Sequence, residues 1–179
     1  MSIDCHLKLD GVQGESTHAK HKDEIQLYNW SWRASNAANI SGGGMAVGKG
    51  QAQDLHFTKK YDRASPNISK NCISGKHFKD ATISMSIAGG SQEDFLVIKL
   101  KEVYITSHQV TAGAGGEVTD SVSMAYADIE YAYKPQKPDG SLGGEVKFGV
   151  DQRTTVVRCC AAPPCRCAVA AVWGRGFIV

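Results

Sequence analysis

Residues Gly43 to Lys49, GGMAVGK, have the G-x-x-x-x-G-K spacing of a phosphate-binding loop. In such a loop, backbone N–H groups cradle the phosphates, the lysine reaches the outer ones, and a following Ser or Thr holds magnesium. Here Gly50 stands where that hydroxyl belongs. A phosphate loop also needs a buried parallel strand before it and a helix behind it, whose N-terminus faces the anion. The residues after Lys49, GQAQDLHF, lead instead into a strand pattern with no helical periodicity. Glycine and alanine make a long uncharged arm, either mobile or ordered by packing on a neighbour.

The other residue types that carry chemistry do not assemble along the chain. His18 and His21 lie at i, i+3 in a charged loop with no Cys or carboxylate cluster to complete a metal site, and His6, His56, His77 and His108 are scattered. These read as solvated or core histidines. Neither G-x-S-x-G nor H-E-x-x-H occurs, and Glu93-Asp94 sits beside a turn as strand-end polar residues do. No nucleophile, base and orienting group can be named together, so the expectation is a protein with no catalytic residues, no cofactor and no metal.

Composition narrows the class. The 179 residues are 42% hydrophobic and 21% charged, ordinary values for one globular domain. Residues 1–150 carry 16 Lys or Arg against 17 Asp or Glu, a net −1, while residues 151–179 carry four Arg and one Asp, a net +3. A near-neutral body of mixed sign is not a nucleic-acid footprint. No run of 18 apolar residues predicts membrane insertion. The opening MSIDCHLKLD lacks the basic start and apolar block of a Sec signal peptide. Cys5 and Cys72 are isolated in the body, which suits a reduced compartment, whereas Cys159, Cys160, Cys165 and Cys167 crowd the last 21 residues. From Val156 onward the tail has no Lys, Ser, Asn, Asp or Glu. Residues 151–179 therefore form an atypical Cys/Ala/Arg-rich segment, with the bias of a GC-rich gene read out of frame or past its stop. It is too short for a fused enzyme domain.

Alternating hydrophobicity predicts the elements that must position any site. Strands are expected over 3–9, 24–33, 54–61, 81–87, 94–106 and 122–133, with a glycine-rich extended loop between the second and third. One helix is expected over 66–76, with Ser65 as N-cap, Pro66 at the first helical position, Gly75 as terminator, and Ile68, Cys72 and Ile73 as a short apolar stripe. Three strands change their apolar face midway. Ile25 and Leu27 give way to Tyr28, Trp30 and Trp32; Leu96, Ile98 and Leu100 to Val103 and Ile105; Met124 and Tyr126 to Ile129, Tyr131 and Tyr133. A bulge letting one strand serve two sheets produces this, as does burial by another subunit, as do half-buried aromatics on a single sheet.

The order of several separated segments carries a resemblance. KLDGVQGES (8–16), HKDEIQLYNWSW (21–32), DLHFTKKYDRASPNISKNCISGKHF (54–78), LKEVYITS (100–107) and YKPQKPDGSLG (133–143) together resemble the Hcp family. These haemolysin-coregulated proteins form the inner tube of the bacterial type VI secretion system. The resemblance covers roughly residues 1–149 and is lost by Thr154, where family members end soon after the position of Gly149.

The resemblance implies a mainly β fold: a small β-barrel of two packed sheets with one flanking α-helix, spanning 1–150. It implies hexameric rings that stack, are driven out of the bacterial cytoplasm by the sheath together with the spike, and carry small effectors in the lumen. It places Ser31 toward that lumen. It assigns Ser41, Gly42, Gly43, Gly44, Met45, Ala46, Val47, Gly48 and Lys49 to an arm packing between subunits or stacked rings. Trp30 and Trp32, with Ile83, Met85 and Ile87, are expected in the barrel core. The rival readings are a monomeric β-barrel module binding lipid or carbohydrate through its aromatic faces, and an enzyme using the glycine loop on nucleotides.

Overall fold

The computed structural model describes residues 3–36, 38–39, 46–47, 50–87, 93–113, 115–137 and 141–160. These form β1 Ile3–Leu9, β2 Ile25–Ser31, β3 Ala34–Ser35, β4 Ala38–Asn39, β5 Ala46–Val47, β6 Gln51–Ala52, β7 Leu55–Lys60, α1 Ser65–Ser74, β8 Phe78–Ile87, β9 Asp94–Ala112, β10 Val118–Ala125, β11 Asp128–Tyr133, β12 Val146–Asp151 and β13 Val156–Cys160. Six strands close a ring of antiparallel pairs in the order β1, β2, β7, β10, β9, β8 and back to β1. Closure leaves these six without an open edge. β11, β12 and β13 continue the sheet outward from β9.

Alternation builds the interior. Leu7 and Leu9 of β1, Leu55 and Phe57 of β7, Ile83 of β8, Ile98 and Leu100 of β9, and Val122 and Met124 of β10 are all buried in one cluster. The face changes mark the barrel corners, where one strand passes from one pairing partner to the next. In β2 the register with β7 slips between Leu27 and Asn29, so Tyr28 is the bulged residue. β9 pairs with β8 and β11 up to Val103 and with β10 from Tyr104. Glu102, just before this exchange, has φ +51°, a left-handed conformation that L residues other than Asn and Asp rarely hold. The expected strand 122–133 is two strands: β10 ends at Ala125, and β11 starts at Asp128 after the chain has crossed to the other sheet.

The helix differs from expectation at its start. Ala64 is the N-cap, with no side-chain cap, and Ser65 already lies inside the helix. Gly75 ends it at φ 65°. Ile68 is fully buried and Cys72 half-buried, but Ile73 is 89% exposed, so the apolar stripe is narrower than predicted. Ser65 is drawn inward by a charge. Lys59 follows Leu55 and Phe57 on the inward row of β7 and is fully buried. Its ammonium lies 2.9 Å from Asp120, 2.6 Å from Asp62 and 2.7 Å from the Ser65 hydroxyl, and donates to the Lys60 carbonyl at 3.1 Å. Ser65 in turn donates to Asp120. Burial alone would raise the Asp120 carboxyl, but hydrogen bonds from Ser65 and Lys59 and the lysine charge outweigh it and hold the group below its ordinary range. The network ties α1 to β7 and β10, while Ser69 reaches His108 of β9 at 2.9 Å.

Between β2 and β7, Ala34 pairs with Ala52, Ser35 with Gln51, Ala38 with Val47 and Asn39 with Ala46, two short antiparallel ladders along the glycine-rich arm. At the far end, the compositional boundary at 150/151 falls inside β12, and residues 156–160 pair with it as β13.

Lys59→Met is expected to cost about 3–5 kcal/mol, because Asp120 and Asp62 remain buried without their counter-charge. Lys59→Met combined with Asp120→Leu should recover a large part of that loss. Urea unfolding of the wild type, Lys59→Met, Asp120→Leu and the double variant measures it; a double variant as unstable as the two single losses added together would count against the pairing.

Candidate functional site

Two surfaces of the barrel carry chemistry that a self-contained core does not need. The first is the outward row of β2, β7, β10 and β9. Ser31 lies opposite His56, His56 opposite Ser123, and Ser123 opposite Ser107. The next rung runs Asn29, Thr58, Ser121, Gln109. His56 Nδ1 and the Ser123 hydroxyl are 2.7 Å apart, and the Thr58 hydroxyl donates to Asn29 Oδ1 at 2.7 Å. The two rungs hold short hydroxyls, amides and one imidazole, without a carboxylate, an ammonium or a large apolar group. Ser31 is exposed on this face.

Its neighbours Trp30 and Trp32 point the other way because successive side chains alternate. Both are half-buried and pack against the core. The Trp30 indole N–H lies 3.1 Å from Met85 Sδ. The Trp32 indole N–H donates to Tyr126 Oη, which itself donates to the Gln53 carbonyl at 3.0 Å. The base of the arm is thereby fastened to the barrel. Burial raises the Tyr126 phenol above its ordinary range, against the pull of its hydrogen bond from Trp32. Ile83 is fully buried, and Met85 packs on the core from a half-buried position. Ile87 is half-buried at the barrel rim, paired with Ile3, which is 54% exposed.

The second surface is apolar. The interior row of β9 continues sideways through β11, β12 and β13. Leu96 faces Tyr133 and then Val146; Ile98 faces Tyr131 and then Phe148; Leu100 faces Ile129, Val150 and then Val157. Trp32 packs against Tyr131 at 5.2 Å and Tyr131 against Phe148 at 6.1 Å between ring centroids, both pairs tilted. Burial decays with distance from the barrel. Ile98, Leu100 and Ile129 are sealed, Tyr131, Phe148 and Val150 are half-covered, and Tyr133, Val146 and Val157 are 45%, 49% and 59% exposed. The buried Tyr131 hydroxyl has no hydrogen-bond partner, and burial raises it strongly. An apolar strip of this kind, rimmed by polar loops, is the signature of an interaction surface.

The remaining sequence candidates divide. Ala46 and Val47 belong to the arm ladder through their backbones. Ser41 to Met45, Gly48 and Lys49 lie outside the described residues. Of the histidines read as scattered, His6 is gathered by the fold, since β1 brings it against the loop pair His18 and His21. Even so, no group of His, Cys, Asp or Glu among the described residues has the geometry to hold a metal. No described helix is long and apolar enough to cross a membrane.

Comparison with known proteins decides the family. The model for "Type VI secretion system effector, Hcp" matches residues 6–133. The chain is 41% identical over 161 residues to protein hcp1 of Pseudomonas aeruginosa, covering 87% of this chain and 99% of that relative. The chain belongs to the Hcp family. Its fold is that of solved Hcp proteins. A type six secretion system protein superposes with a TM-score of 0.83 at 28% identity, over 88% of this chain and all of the other. Hcp1 from Salmonella typhimurium superposes at 0.71 and 28% identity, over the same shares. The match to the Hcp model runs from His6 to Tyr133 and so takes in the second half of β1, the other five barrel strands, α1 and β11.

Trp32→Phe removes the indole donor while keeping the ring contact. The expected loss is about 1 kcal/mol of stability, with faster hydrogen exchange at Gln53, whose amide donates to the Arg33 carbonyl at 2.9 Å. Unchanged exchange at Gln53 would show that the indole does not hold the base of the arm.

Proposed function

We propose that this Hcp chain is a structural subunit that works by assembly and not by catalysis. Six copies close into a ring, the rings stack into a tube, and the tube is expelled by the type VI machine with its sheath and spike. The observation that carries the reading is the apolar face of β11 to β13, which continues the barrel interior into solvent and ends on Tyr133, Val146 and Val157. A neighbouring copy is the partner whose abundance and symmetry match a surface present on every chain, and a closed ring lets each copy give and receive the same contact. Family membership supports the reading through the type VI system to which these relatives belong.

On this reading the face of Ser31, Asn29, His56 and Ser121 lines the lumen. Short uncharged side chains leave the channel wide, and they offer hydrogen bonds to an effector without an apolar surface that would trap it. The arm, including Met45 and Val47, is ordered by the next subunit or ring. Light scattering with electron imaging of the purified protein tests the assembly. A mass near six chains and an annular particle are expected; a strict monomer at every concentration would favour an isolated β-barrel binding module. Val146→Glu with Val157→Glu should shift the particle toward single chains with unchanged circular dichroism. Glutamate at Met45 or Val47 should weaken assembly in the same way. Ser31→Gln should leave the ring intact and lower the yield of co-purifying effector; an undiminished yield would remove Ser31 from the lumen.

A further inference from the structure

The connection between β1 and β2 folds back on itself as a strap. The Gly14 amide donates to the Asp23 carbonyl at 2.7 Å, Ser16 to Glu24 at 3.0 Å, and Asp23 to Ser16 at 3.0 Å. Gly14 passes so close to Glu24 that an added Cβ would lie 2.2 Å from its carbonyl oxygen. Arg63, just before α1, grips the strap through the Gly14 carbonyl and through Asp23 at 2.9 Å, and its own amide donates to Glu15 at 3.1 Å. Under the strap lies His6. It stands on the outward row of β1 between Asp4 and Lys8, and it is 2% exposed because the strap covers it.

Three imidazoles fill the contact. His6 stacks on His21 at 4.8 Å with rings 11° apart, and His18 lies 5.0 Å from His6 and 5.3 Å from His21. The hydrogen bonds around the cluster leave no acceptor for a charged His6 ring. His21 faces Glu24 at 2.9 Å through Nδ1 and Asp94 at 3.1 Å through Nε2, so both nitrogens donate only when that ring holds its second proton. His18 Nδ1 accepts the Lys20 amide at 3.4 Å, a bond that a proton on that nitrogen abolishes. His6 Nδ1 is buried with no partner. The groups paired beside His6 are Ser84 of β8 and Gln26 of β2, neither of which takes up charge. Asp4 of β1 and Asp94 of β9 are the carboxylates that favour a proton on it, and they do not outweigh the rest.

We propose that residues 13–24 are an acid-released clasp, closed over β1 while the buried His6 ring is neutral and opened when that ring takes up a proton. Opening frees Arg63 and uncovers the outer face of β1 while the barrel stays folded. Burial first, and then the neighbouring His21 and His18 imidazoles, pull His6 down to about 4. The open form, with His6 in water, takes its proton near its ordinary value, so it binds more protons throughout the interval between. Closure is therefore complete above about pH 6.5 and weakens as pH falls toward 4, by up to tenfold per unit.

Hydrogen-exchange protection factors of the Gly14, Ser16 and Asp23 amides, measured on the whole protein at pH 7.5 and 5.0, test the clasp. From the linkage, protection should fall by about 30-fold at pH 5.0, while Leu7 and Ile98 in the barrel keep theirs. His6→Gln and His6→Phe should remove the difference between the two pH values. Equal strap protection at both pH values overturns the proposal, as does a loss shared with the barrel amides or one that persists in both variants. If neither variant folds, carbon-13 titration of the native imidazoles decides: His6 must still be neutral at pH 5.0 with the strap closed. A His6 ring that charges near pH 6.5 without strap opening also overturns it. None of these outcomes depends on whether the chain forms rings.

Discussion

The ammonium of Lys59 sets the terms for one side of this barrel. A lysine on the inward row of β7 loses its hydration, at a cost of several kcal/mol, unless acceptors surround it. Asp120 comes from the adjacent strand, Asp62 from the turn after β7, and Ser65 from the first residue of α1. Those three contacts dictate where the helix begins and how it lies. They also explain why Ser65 does not cap the helix: its hydroxyl is committed to Lys59 and Asp120, and Asp62 takes the Ala64 amide at 3.0 Å. The Ser65 hydroxyl additionally accepts the Asp62 amide at 3.1 Å, so turn, helix and sheet share one set of polar contacts. A hydrophobic residue at position 59 could pack as well, but it would not specify the register of α1 against β7.

Closing six strands into a barrel imposes the second constraint. The strands are long enough to serve two sheets only if they bend, and each bend exchanges inward for outward. Tyr28 in β2, Glu102 in β9 and the break after Ala125 are three executions of one geometric requirement. Before the bend, β9 has β8 on one edge and β11 on the other, so its interior row of Leu96, Ile98 and Leu100 is carried outward through β11 to β13. The half-covered apolar strip is thus a consequence of closure, and the same topology supplies the barrel with its core and the molecule with its half-covered apolar face.

What could be read in the chain follows from which signals are local. β1 and β8 were legible because alternation is a property of consecutive residues, and the glycine at 75 because a left-handed terminator is a property of one. The face changes were legible as anomalies, and their cause was among the readings offered, yet the division of 122–133 into two strands was not, since Tyr126 and Ala127 carry no turn chemistry. Ile73 looked apolar and helical but has no surface opposite it, which spacing alone does not report. Lys59 could have been found: Leu55, Phe57 and Lys59 share a face, and an inward lysine demands carboxylates. The histidine stack could not, because His6 meets His18 and His21 only after a 15-residue connection folds over β1, and no periodicity encodes a fold-back. The order of the Hcp-like motifs revealed the family where single residues did not, but it gave no account of the arm as a ladder, whose pairing is made by backbone alone.

The alternation around Ser31 links the two surfaces. Trp30 and Trp32 are committed to Met85, Tyr126 and Tyr131, and each bond fixes the rotation of β2 about its own axis. A one-residue slip would move both indoles into solvent and bury Ser31 and Asn29 without partners, at a cost no neighbouring contact offsets. The polar row is therefore held outward by the tryptophans and not by its own hydrogen bonds. On the proposed reading this separates two kinds of sequence change. Substitutions along Ser31, His56 and Ser123 alter what the lumen offers an effector and leave the barrel's register untouched. Substitutions at the indoles alter the register and with it every contact the outward row makes. A strand that alternates between anchored and free side chains provides that separation on one scaffold.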